Sequence, residues 1–341
     1  MLGAMSLGGP LVVAGNDLVD GPVRDRIMRF LNQRSSYHFT QHPDWACAQD
    51  PQKFVGIGTV RDGSIVAWTL VRRRRLPLIH LSKYFGARGP VVQDLSVLGQ
   101  HVANLAQALA PDGLYLALHP YVFDEMGNRM FEELCDLGFA RAPANDMYYK
   151  DTLAVDLTRS LQDIRADFRR SVKTQINKSV RLGVTVSRVT SDSDYLRFAK
   201  HYSLAMQEKR IRIPSKLLAL LSTFAATPHG YALQAHWRGE AVAGIGLVAC
   251  GSNLVYEWGY TSSSPEHRAL PLQHALQWQA IQLAKELGFV CYDLGGFWAE
   301  AGGDDPINHF KLGFTSVQRT SAGALTLYWR RRLAGLITRN N

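Results

Sequence analysis

Cysteine is scarce and scattered. Cys47, Cys135, Cys250 and Cys291 are the four in 341 residues, with no CxxC pair and no Cys–His pair at metal spacing. That excludes both a structural zinc site and a disulfide framework, and no metal is expected. Free, mostly buried thiols in a reducing compartment are the plain reading. Long apolar runs are missing too: none reaches the about 18 uninterrupted residues that a spanning helix needs. The apolar start, MLGAMSLGGPLVVAGN, has no basic stretch ahead of it and is broken by glycines, unlike a secretory leader. A soluble, cytoplasmic protein is expected. Acidic residues fall short: 29 Asp+Glu face 38 Lys+Arg, a net +9 with neutral histidine. The excess favours a polyanionic partner, whether nucleic acid, a nucleotide-linked substrate or an anionic membrane surface. Asp44 stands near His42, but no nucleophile sits at a spacing that would make a Ser-His-Asp triad.

What is present suggests two α/β domains, since the length exceeds one ordinary domain and 46% apolar content supports full folding. Gly21–Gln33 reads as a first helix. Lys53–Arg61 and Ser64–Arg73 flank Asp62-Gly63, a strong hairpin signal. Leu95–Leu109 reads as a helix, Gly113–Leu118 as a strand and Asp124–Leu137 as a helix stopped by Gly138, with a strand pair from about Phe139 to Leu157. A second round follows. Tyr231–Trp237 and Ala241–Cys250 flank Arg238-Gly239-Glu240, then come a strand at Leu254–Tyr260, a helix at Leu270–Leu287 and a buried strand at Val290–Leu294. Each half has a hairpin, then a helix ending in Leu-Gly-Phe, then a strand, so two copies of one α/β unit are expected.

Between the halves, Ser160–Leu182 reads as one helix with Ser160 at its start and Gly183 at its stop. Leu161, Ile164, Phe168, Val172, Ile176 and Val180 make an apolar stripe. Arg165, Arg169, Lys173 and Arg181 follow at multiples of four, interrupted at Asn177, as a basic ridge suited to phosphate or to plain solvation.

The sharpest cluster lies near the C-terminus: Tyr292-Asp293-Leu294-Gly295-Gly296, then Phe310-Lys311-Leu312-Gly313-Phe314. A buried strand opening into paired glycines lets backbone approach a ligand closely. A lone lysine among apolar and aromatic neighbours needs a carboxylate partner or a ligand's developing negative charge.

These two motifs resemble the YDxGG and FKxGF signatures of the Fem family, the enzymes that build peptidoglycan interpeptide bridges. Further matches keep the family's order. Gln41…Trp45 resembles its Q-S-x-x-W element, Arg88-Gly89-Pro90-Val91 its RGPV, and Leu153–Leu157 with Arg169–Val184 its xVDLS…R..I.KA…GV stretch. The resemblance covers roughly residues 37 to 320. It implies an α/β (α+β) fold of two acetyltransferase-like (GNAT-like) domains in tandem, here 1–152 and 153–320, with 321–341 folding back toward the first. It implies an acyltransferase that moves an amino acid from aminoacyl-tRNA, a co-substrate rather than a cofactor, to an amine of a peptide acceptor. That acceptor is a peptidoglycan precursor or a small peptide natural product, and the enzyme is expected to work as a monomer. Lys311 takes the place of the family's FKxGF lysine, contacting the tRNA end or stabilising the charge of acyl transfer, and Asp293 is a candidate base. Substrate binding falls to Trp45, Arg88, Arg210, Arg212, Tyr256, Gly295, Gly296 and Phe310, and tRNA binding to Arg165, Arg169, Lys173 and Arg181.

Two departures from the family stand out. Gln41-His42-Pro43-Asp44-Trp45 carries no lysine to hold a diphosphate, which favours a different acceptor amine, and the long helical arm of some members is missing. Bland alternatives stand beside these readings. Lys311 pairs with Asp304 or Asp305; Asp293 only orders the glycine turn. Arg72–Arg75 is a solvated strand or part of a tRNA surface. Arg330–Arg332, beside Tyr328 and Trp329, starts a basic helix or stacks on nucleotides. The rival donor is acyl-CoA, although Arg268-Ala269-Leu270-Pro271-Leu272 lacks the glycine of a pyrophosphate-binding loop. The rival from another class is a non-catalytic polyanion-binding protein.

Overall fold

The computed structural model describes residues 9–142, 149–208, 227, 229–300 and 305–338. The chain forms two compact units, Met1–Lys150 with Thr320–Asn341, and Asp151–Arg319. In chain order the first unit holds β1 (Leu11–Ala14), α1 (Pro22–Asn32), α2 (Pro43–Gln49), β2 (Phe54–Arg61), β3 (Ser64–Leu76), β4 (Leu81–Arg88), β5 (Val91–Val92), α3 (Leu98–Leu109), β6 (Gly113–Pro120), α4 (Asp124–Asp136) and β7 (Ala140–Arg141). The second holds β8 (Asp151–Asp156), α5 (Leu161–Asp167), α6 (Arg170–Arg181), β9 (Thr185–Val189), α7 (Asp192–Glu208), β10 (Gly230–Trp237), β11 (Glu240–Cys250), β12 (Asn253–Thr261), α8 (Pro265–Arg268), α9 (Leu272–Glu286), β13 (Cys291–Phe297), α10 (Pro306–Lys311) and β14 (Gln318–Thr320). The chain then adds β15 (Leu325–Tyr328) and α11 (Arg331–Thr338) to the first unit.

Each unit is built on one sheet, ordered β1-β2-β3-β4-β6-β15-β7 in the first, with β5 beside β3, and β14-β8-β13-β12-β11-β10-β9 in the second. The duplication is explicit. In each, an antiparallel hairpin and a third strand lead through a helix to a strand parallel to that third one: β4 with β6, and β12 with β13. Parallel neighbours need such a crossover, and α3 and α9 supply it. In the first unit α3 and α4 bury one sheet face around Ile57, Val71, Leu105, Leu116 and Leu134, while α1 covers Trp68 and Leu70 on the other. In the second, α5, α6 and α9 cover one face and α7 packs Tyr195, Phe198 and Met206 against Ala232 and Tyr260. Among the described residues no helix is long and apolar enough to cross a membrane.

Three expectations are corrected. The strands near Phe139–Leu157 do not pair: Ala140–Arg141 lies against β15, and Asp151–Asp156 lies against β13 in the other sheet. The glycines Gly295 and Gly296 do not follow the strand but lie within it, at a register shift against β8. And 160–182 is two helices. Phe168 turns extended (φ −61°, ψ 141°) to drive its ring between Trp278 and Phe314, and α6 restarts after Arg169, whose N–H donates to Gly313 O at 2.9 Å. Buried Ile164, Phe168, Val172 and Ile176 keep the apolar stripe, whereas Val180 is exposed.

Candidate active site

The decisive difference between the two copies lies in their parallel strand pairs. In the first unit β4 and β6 shift once, between Ser82 and Lys83, and then stay paired without a break from Lys83↔Tyr115 to Arg88↔Pro120. In the second, β12 and β13 pair only from Asn253↔Cys291 to Val255↔Asp293, and then the ladder stops. A split between central parallel strands exposes backbone groups in a concave place, the usual seat of a ligand in an open α/β sheet.

Gly295 turns the chain at the split. It sits at φ +74°, and a Cβ there would come within 2.8 Å of Tyr256 O, so only glycine fits. Asp293, 2% exposed, holds the turn: it accepts the Gly295 N–H at 2.7 Å and the Thr152 hydroxyl. Its carboxylate is thus engaged in ordering the strand. Lys311, the last residue of α10, reaches the same spot and donates from Nζ to Gly296 O at 2.6 Å. Its side chain is 7% exposed, and burial pushes the ammonium down to about 8, with Asp293, Glu257 and then Asp305 opposing that shift. Asp305 is not its salt-bridge partner; its carboxylate caps α10 by accepting Ile307 and Asn308 N–H. Asp304 lies outside the described residues.

The rest of Phe310–Phe314 aims the lysine. Phe310 and Phe314 pack on each other at 5.3 Å and on His274 at 5.0 and 6.1 Å. A Cβ on Gly313 would strike Val172, so glycine seats this turn on α6. Buried Asn308 donates to Trp298 O at 2.7 Å and accepts Trp298 N–H at 3.2 Å, tying α10 to the end of β13. Tyr256 borders the split, its hydroxyl pushed up to about 12 by burial.

The structure therefore brings together Lys311, Asp293, Gly295, Gly296 and Tyr256, with Phe310 behind them. The reading of the sequence missed Thr152, Glu257 and Asn308. The four cations assigned to tRNA do not form one helical ridge. Arg165 lies in the last turn of the short α5, donates to Asn177 Oδ1 at 2.6 Å and lies over Trp278; Lys173 donates to Ala166 O at 2.8 Å; Arg169 and Arg181 are exposed. Arg210 and Arg212 lie outside the described residues.

In the first unit, Gln41 explains two motifs at once. Its amide donates to Leu70 O and Ala87 O and accepts Leu70 N–H at 2.8 Å, and a Cβ on Gly89 would come within 2.7 Å of it. Trp45 packs edge-on against Phe39 at 4.9 Å, joined to the core. Arg88, at φ +59°, stands over the Tyr121 ring and borders a cavity of about 150 Å³ shared with Tyr37, Pro90, Met126 and Met130.

The loop from Ser264 to Pro271 bears on the donor. Arg268, Ala269 and Leu270 spend their N–H groups on Ser264, Pro265 and His267 carbonyls, and Pro271, the N-cap of α9, has none. Those amides are not available to cradle a pyrophosphate.

The family described as acetyltransferase (GNAT) domain matches residues 166–312. Among solved structures, FemX is 15% identical, with a TM-score of 0.79 over 93% of this chain and 99% of that one. L-PGS from Bacillus licheniformis is 13% identical, with a TM-score of 0.60 over 92% and 93%. A tandem GNAT protein of the clavulanic acid biosynthesis pathway is 13% identical, with a TM-score of 0.53 over 94% and 98%. No curated protein matches the chain. The fold is two GNAT-like domains in tandem.

Proposed function

We propose that the protein is an aminoacyltransferase, moving an amino acid from aminoacyl-tRNA to an amine of a peptide acceptor and forming an amide. The observation that carries this reading is the buried Lys311 ammonium, held by Gly296 O where β12 and β13 part. The amine nitrogen attacks the ester carbonyl carbon, and the carbonyl oxygen gathers negative charge. Lys311 offsets that charge in a site with little water, where a fixed cation acts most strongly. The C–O bond to the ribose then breaks, and the proton lost by the amine passes to the ribose oxygen. Asp293 serves as the clip that holds Gly295 in place, not as the base, because its carboxylate already accepts two hydrogen bonds.

Two observations support a tRNA ester over acyl-CoA as the donor. The amides of Arg268, Ala269 and Leu270 are used internally, and the Tyr292–Phe314 stretch resembles the Fem signatures. Incubating the protein with charged total tRNA and a panel of amines, among them cell-wall stem peptides and short peptides, tests it. Loss of labelled aminoacyl ester with gain of labelled amide is expected. Ester left intact with every amine while acyl-CoA is consumed would overturn the reading.

A further inference from the structure

Two basic runs that the candidate site leaves unused, Arg72–Arg75 and Arg330–Arg332, meet at one end of the first unit's sheet. β3 runs toward that end and turns through Pro77–Ile79 into β4. β6, parallel to β4, starts there at Gly113, and β15, antiparallel to β6, finishes there at Tyr328. Arg330 locks the corner, its guanidinium donating to the carbonyls of Ala110, Pro111 and Gly113. α11 departs from the same corner.

The tip is apolar and bare. Leu78 is 96% exposed and Ile79 40% exposed, and Leu336 on α11 is 64% exposed. Single exposed leucines are ordinary, but this one crowns a hairpin whose stem is cationic. Arg72, Arg74 and Arg75 are exposed on β3, and Arg331 and Arg332 on α11. Arg74 stands directly opposite Lys83 across the ladder, a like-charged pair that a sheet ordinarily avoids. The groups that shift Lys83 and Tyr115 are Arg74, Tyr328 and burial, with no carboxylate among them. Asp112, the acid at this end, is turned inward to the hydroxyls of Ser82 and Tyr84. Tyr115 and Tyr328, in contact at 5.8 Å, lie just behind the cations, where the amphipathic rings of membrane-surface proteins stand.

We propose that this end of the first unit docks on an anionic lipid bilayer, with Leu78 and Ile79 entering the headgroup–acyl boundary and Arg72, Arg74, Arg75, Arg331 and Arg332 facing lipid phosphates. Apolar residues at a tip ringed by cations are the combination that an interfacial anchor needs, and the apolar part is what an RNA-binding face would not require. The attachment is peripheral, and it is independent of the transfer chemistry.

The test is co-sedimentation of the full chain with phosphatidylcholine vesicles, with and without phosphatidylglycerol. Wild type should pellet with the anionic vesicles and much less with the neutral ones. Leu78→Ser with Ile79→Ser, and separately Arg72→Gln with Arg74→Gln and Arg75→Gln, should each weaken binding about tenfold, as expected when one of two cooperating membrane signals is lost. All of these side chains but Ile79 are largely in solvent, so melting temperature should stay near that of wild type. Equal pelleting with both vesicle types, or unchanged binding by folded variants, overturns the proposal. So does a triple arginine variant that keeps vesicle binding but loses affinity for deacylated tRNA, which would make the face an RNA surface. None of these readouts depends on transfer, so a failed transfer assay and a failed docking assay remain distinct.

Discussion

At Lys311, the residue proposed to carry the chemistry, burial and charge compete over one ammonium. Its pKa of about 8 leaves it protonated at neutral pH, and the cation is lost as pH rises through that value. Transfer should therefore decline above about pH 8, measured as kcat/KM against pH with a single amine whose own titration is corrected for. Glu257 helps to hold the proton on, so Glu257→Gln should move the declining limb to lower pH. An unmoved limb would mean that another group titrates. The burial of this lysine was legible in the sequence, since its neighbours in Phe-Lys-Leu-Gly-Phe are apolar and aromatic. Its surroundings were not. Thr152, which clips Asp293, lies 141 positions away in sequence, and no local pattern announces such a bond.

Among the elements, the strand split in the second unit forms the candidate site, and Gly295 turns the chain there. Gly295→Ala would put a Cβ 2.8 Å from Tyr256 O at a positive φ, a backbone cost of about 1–2 kcal/mol before the clash is counted. A drop of several degrees in melting temperature, with transfer reduced more than about tenfold, is expected. Full activity in that variant would show that the turn does not position the site. The hairpins and crossover helices were readable from alternation and period, but the break at Phe168–Arg169 was not. Neither glycine nor proline marks it; tertiary packing of one ring imposes it, and the i,i+4 ridge inferred from an unbroken helix dissolves as a result. The same applies to Gly295-Gly296, where the sequence signals a bend but not that strand pairing resumes at Gly296↔Thr152.

At the level of the whole molecule, duplication yields two similar sheets of which one keeps its parallel pair closed and the other opens it. That asymmetry is the reason the proposed reaction is placed in the second unit. Fold class and repeat order were legible because each copy punctuates its strands and helices alike; which copy is open depends on register, which sequence does not reveal. The donor preference belongs to this scale. Acyl-CoA should leave the melting temperature unchanged, whereas tRNA should raise it in proportion to the logarithm of its concentration above Kd. Stabilisation by acyl-CoA alone would reverse the assignment.

The most direct measurement compares single-turnover amide formation from charged tRNA by wild type and Lys311→Met, with tRNA affinity measured beside it. A loss of about 10²–10³ in rate with tRNA binding and melting temperature retained is the predicted result. A Lys311→Met protein that forms amide at the wild-type rate would contradict it.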